Sequence, residues 1–135
     1  MKYRILIVSA NYYTDISNNL LKDAKTTLKS KAKYQIINVP GVFEIPVIIA
    51  KNIKKYHGFI ALGCVIKGET PHFDFISTTT INAIMNLSIV HKKPIGNGIL
   101  TCLDKRQAKA RSGSFNKVGK GTEAAKAVLS VLNNF

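Results

Sequence analysis

GFIALGCVI, Gly58 to Ile66, followed by KGETPHFDF, Lys67 to Phe75, is the stretch on which the fold turns. Its first half is almost wholly apolar, as a strand is when helices cover both faces of a parallel sheet. The chain then breaks at Lys67-Gly68 and runs through glycine, hydroxyl, proline and histidine into an amphipathic helix. In open α/β sheets ligands sit at that junction, beyond the carboxyl ends of the strands. Gly68 lets the backbone come close to a ligand, Thr70 offers a hydroxyl and free amides, and Pro71 fixes the approach to His72. An imidazole is the ordinary side chain that titrates near neutral pH without help, so His72 is a candidate proton carrier. A loop histidine that only caps the following helix is the competing reading, and these residues alone leave both open.

Outward from this stretch the pattern repeats. YRILIVS, from Tyr3, reads as a buried parallel strand and Asn11 to Thr14 as the loop after it. Asp15 is placed to cap a helix carrying Ile16, Leu20, Ala24 and Leu28 at helical spacing. YQIINV, Tyr34 to Val39, is a second strand stopped by Pro40-Gly41. Pro46 suits the first turn of a helix running through Val47, Ile49, Ala50 and Ile53 to Tyr56. A long helix covers about Ile76 to Val90, and Pro94 opens a fourth strand, PIGNGILTC. Asp104 caps a short basic helix ending near Ser112-Gly113, and a last helix runs from about Gly121 to Leu132. Strands alternating with helices, each strand a hydrophobic run, imply a parallel sheet covered on both faces. The expected fold is therefore α/β: one domain over residues 1–135, a doubly wound, flavodoxin-like α/β/α sandwich around a four-stranded parallel sheet.

Composition narrows the class. At 135 residues the chain is long enough for a proper core, and no apolar run reaches the length of a bilayer span. The start, MKYRILIVS, lacks a small-residue cleavage site and is read as a first strand of a cytoplasmic protein that does not bind membranes. Cys64 and Cys102 lie in or at the end of strands with no CxxC spacing, so they are read as buried free thiols rather than a disulfide or a metal site. Lys and Arg number 20 against 7 Asp and Glu, a net charge of +13. The lysines are scattered from Lys22 to Lys126 and no nucleic-acid motif accompanies them, which favours solvated faces plus an anionic small-molecule site over nucleic-acid binding.

GSFNKVGKGT, Gly113 to Thr122, looks like a nucleotide P-loop but fails as one. The gap before its Gly-Lys is too long, Gly121 stands where a magnesium-binding hydroxyl belongs, and no strand precedes it. A glycine-rich basic loop remains. With Arg111 before it and Lys120 within it, such a loop could hold a phosphate, or it could be a solvated charge run.

GVFEIP, GCVIKGETPHFDF, PIGNGILT and the stretch from Gln107 to Gly121 resemble, in order and at nearly the same spacing, the signature segments of 6,7-dimethyl-8-ribityllumazine synthases. That family condenses 5-amino-6-(D-ribitylamino)uracil with 3,4-dihydroxy-2-butanone 4-phosphate, releasing phosphate and water, in the penultimate step of riboflavin biosynthesis. The resemblance implies that no metal or cofactor is needed and that the product passes to riboflavin synthase. It places His72 at the proton-transfer histidine and Tyr12 where an aromatic, more usually Phe or Trp, stacks on the pyrimidine. Val42, Phe43 and Glu44 match the segment holding the ribityl chain and ring edge, and Cys64, Val65 and Ile66 the strand end whose backbone reads the uracil. Glu69 and Thr70 match the phosphate-side loop, Arg111 the arginine that pairs with the phosphate, and Lys120 a second phosphate-side lysine. Asn97 stands where many members have Phe, so a polar contact is expected there.

The apolar residues Ile76, Ile81, Ala83, Ile84, Met85, Leu87, Ile89 and Val90 cover well over half the circumference of the long helix, more than a sheet-facing stripe needs. A homo-oligomer is expected, with active sites between subunits as in the family. The start at the first strand, and a Gly113–Lys120 loop read as one residue longer than in relatives that build sixty-subunit shells, favour a free pentamer over a larger shell. The competing classes are a lumazine- or flavin-binding protein without turnover, against which His72 and Arg111 argue, and a basic nucleic-acid module, which rests on net charge alone.

Overall fold

Alternation along the first strand sets the layers. In β1, Tyr3–Ala10, Ile5 and Ile7 point to one side of the sheet and Leu6 and Val8 to the other, and all four are fully buried. The chain is seen in a computed structural model that describes residues 2–113 and 118–134. β2 is Ala32–Val39, β3 Gly58–Ile66 and β4 Ile95–Cys102, and the four strands form one parallel sheet in the order β2-β1-β3-β4. On one face lie α1, Thr14–Leu28, and α5, Lys120–Asn134, sharing a core with Ile5, Ile60, Leu62 and Leu100; Ala108 of α4, Lys105–Arg111, joins them. On the other face α2, Ile45–Lys51, and α3, His72–His91, pack on Leu6, Val8, Phe59 and Ala61 through Ile45, Ile49 and Ile84. This is the doubly wound α/β arrangement that the alternation of strands and helices implies.

Four local expectations need correcting. Asp15 does not cap α1: the cap position is Tyr13, without a side-chain bond, and the first helical bond runs from Ser17 N to the Tyr13 carbonyl. The buried Ser17 hydroxyl also donates to the Ala10 carbonyl at 2.7 Å, so the end of β1 itself anchors this first turn. Asp15 sits within the turn, where a carboxylate faces the positive end of the helix. The second helix stops at Lys51, short of Tyr56, although Ile53 keeps the periodicity. There tertiary partners take the carbonyls: Lys93 Nζ donates to Ile53 and Tyr56 at 2.6 and 2.9 Å, and Arg4 donates to Lys55 at 2.9 Å. The third helix begins at His72 rather than Ile76, because Pro71 (φ −69°) already has helical φ and its carbonyl accepts from Asp74 N and Phe75 N. Finally, Lys120 is the first residue of α5 and not part of a loop. By contrast, Asp104 does cap α4, accepting from Gln107 N at 2.8 Å while Gln107 Oε1 accepts from Leu103 N at 2.9 Å.

Candidate active site

The strand order places the switch point of the sheet between β1 and β3, since the chain leaves β1 outward to β2 and then returns to its other side. A cavity of about 310 Å³ opens there, at the carboxyl ends of the strands. β1 sends Tyr12 and Tyr13 into its wall, β2 sends Gly41, Val42 and Phe43, and β3 contributes Cys64, Val65 and Ile66 from its own end. His72 and Ile76 close it from the first turns of α3, four residues apart and so on one helix face. The volume suits a single heterocycle. Tyr12 is 75% and Phe43 56% exposed, so two aromatic faces border the cavity without being used in the core. Tyr12 is held edge-on by Tyr13, with ring centroids 4.9 Å apart at 80°.

His72 is positioned by its own backbone. Its amide donates to Thr70 Oγ1 at 3.4 Å, a local bond of the kind by which a threonine turns the chain into a helix, and its side chain is among those lining the cavity. Burial pushes the Cys64 thiol up to about 12, with the neighbouring Cys102 adding to the effect, so the thiol is a neutral part of the floor. Burial raises Tyr13 as well, helped by Tyr12 and Cys64.

A second cleft, about 400 Å³, lies along β4 and is lined by Ile99, Leu100, Thr101, Ala110, Arg111, Val118, Lys120 and Glu123. Arg111 ends α4 and Lys120 begins α5, so two cations meet where a helix N-terminus presents free amides. The Arg111 guanidinium also lies beside the Cys102 sulfur, where it opposes the upward push that burial gives that thiol. The loop joining these helices includes 114–117, which lie outside the described residues.

The expected site residues thus fall into two groups within one chain. Tyr12, Val42, Phe43, Cys64, Val65, Ile66 and His72 share the first cavity, and Arg111 and Lys120 share the second. Asn97 lines neither: it is an exposed residue of β4 whose Oδ1 accepts from Ile99 N. Glu44 is half-buried, with Oε1 turned toward Gly41, and Glu69 and Thr70 are exposed on the turn before α3. Tyr13 and Ile76 were not singled out from the sequence. Tyr13 shares the loop after β1 with Tyr12, and Ile76 stands one helical turn from His72, so position alone could have found both.

A family model for 6,7-dimethyl-8-ribityllumazine synthase matches residues 2–135. The chain belongs to the 6,7-dimethyl-8-ribityllumazine synthase family. The similarity extends to individual lumazine synthases. One from Bartonella henselae is 46% identical over 97% of this chain and 87% of its own length. Others are 42% identical in Bartonella tribocorum, over 99% of this chain and 93% of the relative, and 43% in Agrobacterium fabrum, over 97% and 93%. The activity is accordingly the lumazine synthase reaction of riboflavin biosynthesis. Among the described residues no group of three or more His, Cys, Asp or Glu side chains could hold a metal ion, and no helix is long and apolar enough to cross a membrane.

Proposed function

We propose that the pyrimidine substrate, 5-amino-6-(D-ribitylamino)uracil, lies in the cavity at the β1/β3 switch point and that its phosphorylated partner, 3,4-dihydroxy-2-butanone 4-phosphate, is held by Arg111 and Lys120. Tyr12 stacks on the pyrimidine, the backbone of Cys64 to Ile66 reads the uracil edge, and Val42, Phe43 and Glu44 hold the ribityl chain. Asn97, which lines neither cavity of its own chain, makes its polar contact to the ring in a neighbouring copy's site, and Glu69 and Thr70 border the phosphate side. His72 carries protons as the amine attacks the ketone, as phosphate leaves and as the ring closes. Each of these steps moves a proton, while the two binding regions supply proximity, so a positioned imidazole and one anion site are the chemical tools the reaction asks for.

The observation that carries this reading is the convergence of His72 with two exposed aromatic faces on one cavity. The distribution of the cations implies something further about assembly. Arg111 and Lys120 line a cleft with no described residue in common with the His72 cavity, and β4 is the edge of the sheet. A second copy laid against that edge would bring its own His72 cavity to this copy's cations. α3 supports such an assembly: Phe75, Met85, Ile89 and Val90 are exposed on it while Ser77 and Thr80 are buried. The proposed state is a homo-pentamer with sites between neighbours, handing its product to riboflavin synthase. We place it in the cytoplasm, the apolar run at 3–10 being a central strand paired on both sides.

The experiment combines the protein with both substrates and follows lumazine fluorescence in wild type and Arg111→Ala. Loss of a charge-assisted phosphate contact of about 1.5–3 kcal/mol raises KM for the butanone phosphate and leaves KM for the pyrimidine nearly unchanged. Equal losses for both substrates would make Arg111 a structural residue.

A further inference from the structure

The segment that joins the two cations is gripped at its neck by a residue that neither cavity contains. The chain leaves α4 through Ser112 and Gly113 and re-enters α5 through Gly119, Lys120 and Gly121. Gly113 and Gly119 lie back to back: a Cβ built on Gly119 would stand 2.6 Å from both Gly113 Cα and Gly113 N. Gly113 has φ +101°, a conformation that side chains resist. Both glycines press on one group, the carboxylate of Asp23. Its Oδ2 would be 2.1 Å from a Cβ on Gly113 and 2.8 Å from one on Gly119.

Asp23 does not act alone on α1. Asn19, one helical turn earlier, donates from Nδ2 to Ser112 Oγ at 3.4 Å, and that fully buried hydroxyl also donates to the Lys109 carbonyl at 3.0 Å. The Leu20 carbonyl meets Gly121 so closely that a Cβ there would be 2.2 Å away. Asn19, Leu20 and Asp23 occupy one face of α1, at the i, i+1 and i+4 positions, and together they support the chain on both sides of the loop. Burial under this neck also raises the pKa of Asp23, opposed by the charge of Lys22.

We propose that Asp23 is a positioning residue for the anion site: its carboxylate, wedged beneath Gly113 and Gly119, sets the distance between Arg111 and Lys120. The proposal rests on the reading of those two cations as the phosphate-side pair. Asp23 touches no substrate. It acts by shape, filling the space that the paired glycines leave, and as a negative charge it would by itself oppose an anion nearby.

Shape and charge predict opposite signs, which makes the test decisive. KM for each substrate is measured in the assembled enzyme for Asp23→Ala, Asp23→Asn and Arg111→Ala, with thermal midpoints alongside. Asp23→Ala should raise KM for the butanone phosphate roughly five- to tenfold, through misplacement of the cations, and leave KM for the pyrimidine unchanged. Asp23→Asn, which keeps the shape, should restore the phosphate KM to within about twofold of wild type. Should Asp23→Ala fail to fold, Asp23→Ser carries the same comparison. A phosphate KM that falls in both variants would show that the carboxylate acts only as an opposing charge. No change in either, or equal rises for both substrates, would also overturn the proposal. If Arg111→Ala leaves the phosphate KM unaltered, the anion-site reading itself fails; if Arg111→Ala raises it and Asp23→Ala does not, the wedge alone is wrong.

Discussion

His72 stands exposed on the first turn of α3, so replacing it with alanine tests chemistry rather than folding. With proximity left intact, His72→Ala should slow turnover roughly ten- to a hundredfold at an unchanged thermal midpoint. A variant with wild-type kcat across the neutral range would remove His72 from the chemistry. Cys64 is the opposite case, a cavity residue with no chemical part. Its native thiol keeps its proton to about 12 where the unfolded thiol releases it near 9.0, so it is neutral in both states below that range and lowers stability only as pH rises between the two values. Near pH 8 the buried native thiol stays protonated, so iodoacetamide should label Cys64 in denatured protein and hardly at all in native protein, as mass spectrometry of the peptides would show. Rapid native labelling would contradict the burial assigned to it. At this scale the sequence could single out His72 as a candidate, because a histidine follows Gly68 and Pro71 at a strand end, but those residues alone left a capping role equally open. It was silent on Asp23, whose role comes from two glycines ninety residues and more away in the chain.

The strands were legible as apolar runs, and the start of α4 because local chemistry bounds it. The Asp104–Gln107 pair closes the start of α4 within a few residues, and β3 announces itself as an unbroken apolar run. Two of the missed boundaries depend on bonds from outside the helix: Lys93 and Arg4 take the carbonyls beyond α2, and the Ser17 bond to Ala10 fixes where α1 begins. α3 was hardest, since it buries Ser77 and Thr80 while exposing Ile89 and Val90, and no single apolar stripe marks its sheet-facing side. β4 carries a demand of its own. A Cβ on Gly96 would sit 2.3 Å from the Ala124 carbonyl and 2.9 Å from Val128 Cγ2, so α5 rests directly on this strand. Gly96→Ala must push α5 outward and should cost about 1–3 kcal/mol, read as a lower thermal midpoint at fixed protein concentration. An unchanged midpoint would mean that α5 is held away from β4.

At the scale of the whole molecule, the residues proposed for the site fall into two separate clefts of one chain. The His72 cavity lies at the switch between β1 and β3, and the Arg111–Lys120 cleft lies along the sheet edge at β4. The sequence could name both sets of residues, since each sits after its own strand. Whether they meet within a chain or across two is decided by three-dimensional placement that no spacing records. The apolar residues left exposed on α3 give copies a reason to associate, and a closed ring would pair each cavity with a neighbour's cations.

The measurement that tests this most directly mixes two impaired variants. His72→Ala and Arg111→Ala chains are unfolded together in equal amounts, refolded, confirmed by native mass spectrometry as mixed assemblies, and assayed by lumazine fluorescence at limiting butanone phosphate. If sites form between subunits, random mixing leaves about a quarter of the interfaces with an intact His72 facing an intact Arg111, and activity should rise toward that fraction of wild type. Mixed assemblies no more active than the average of their two parents would place the whole site within one chain and contradict the account.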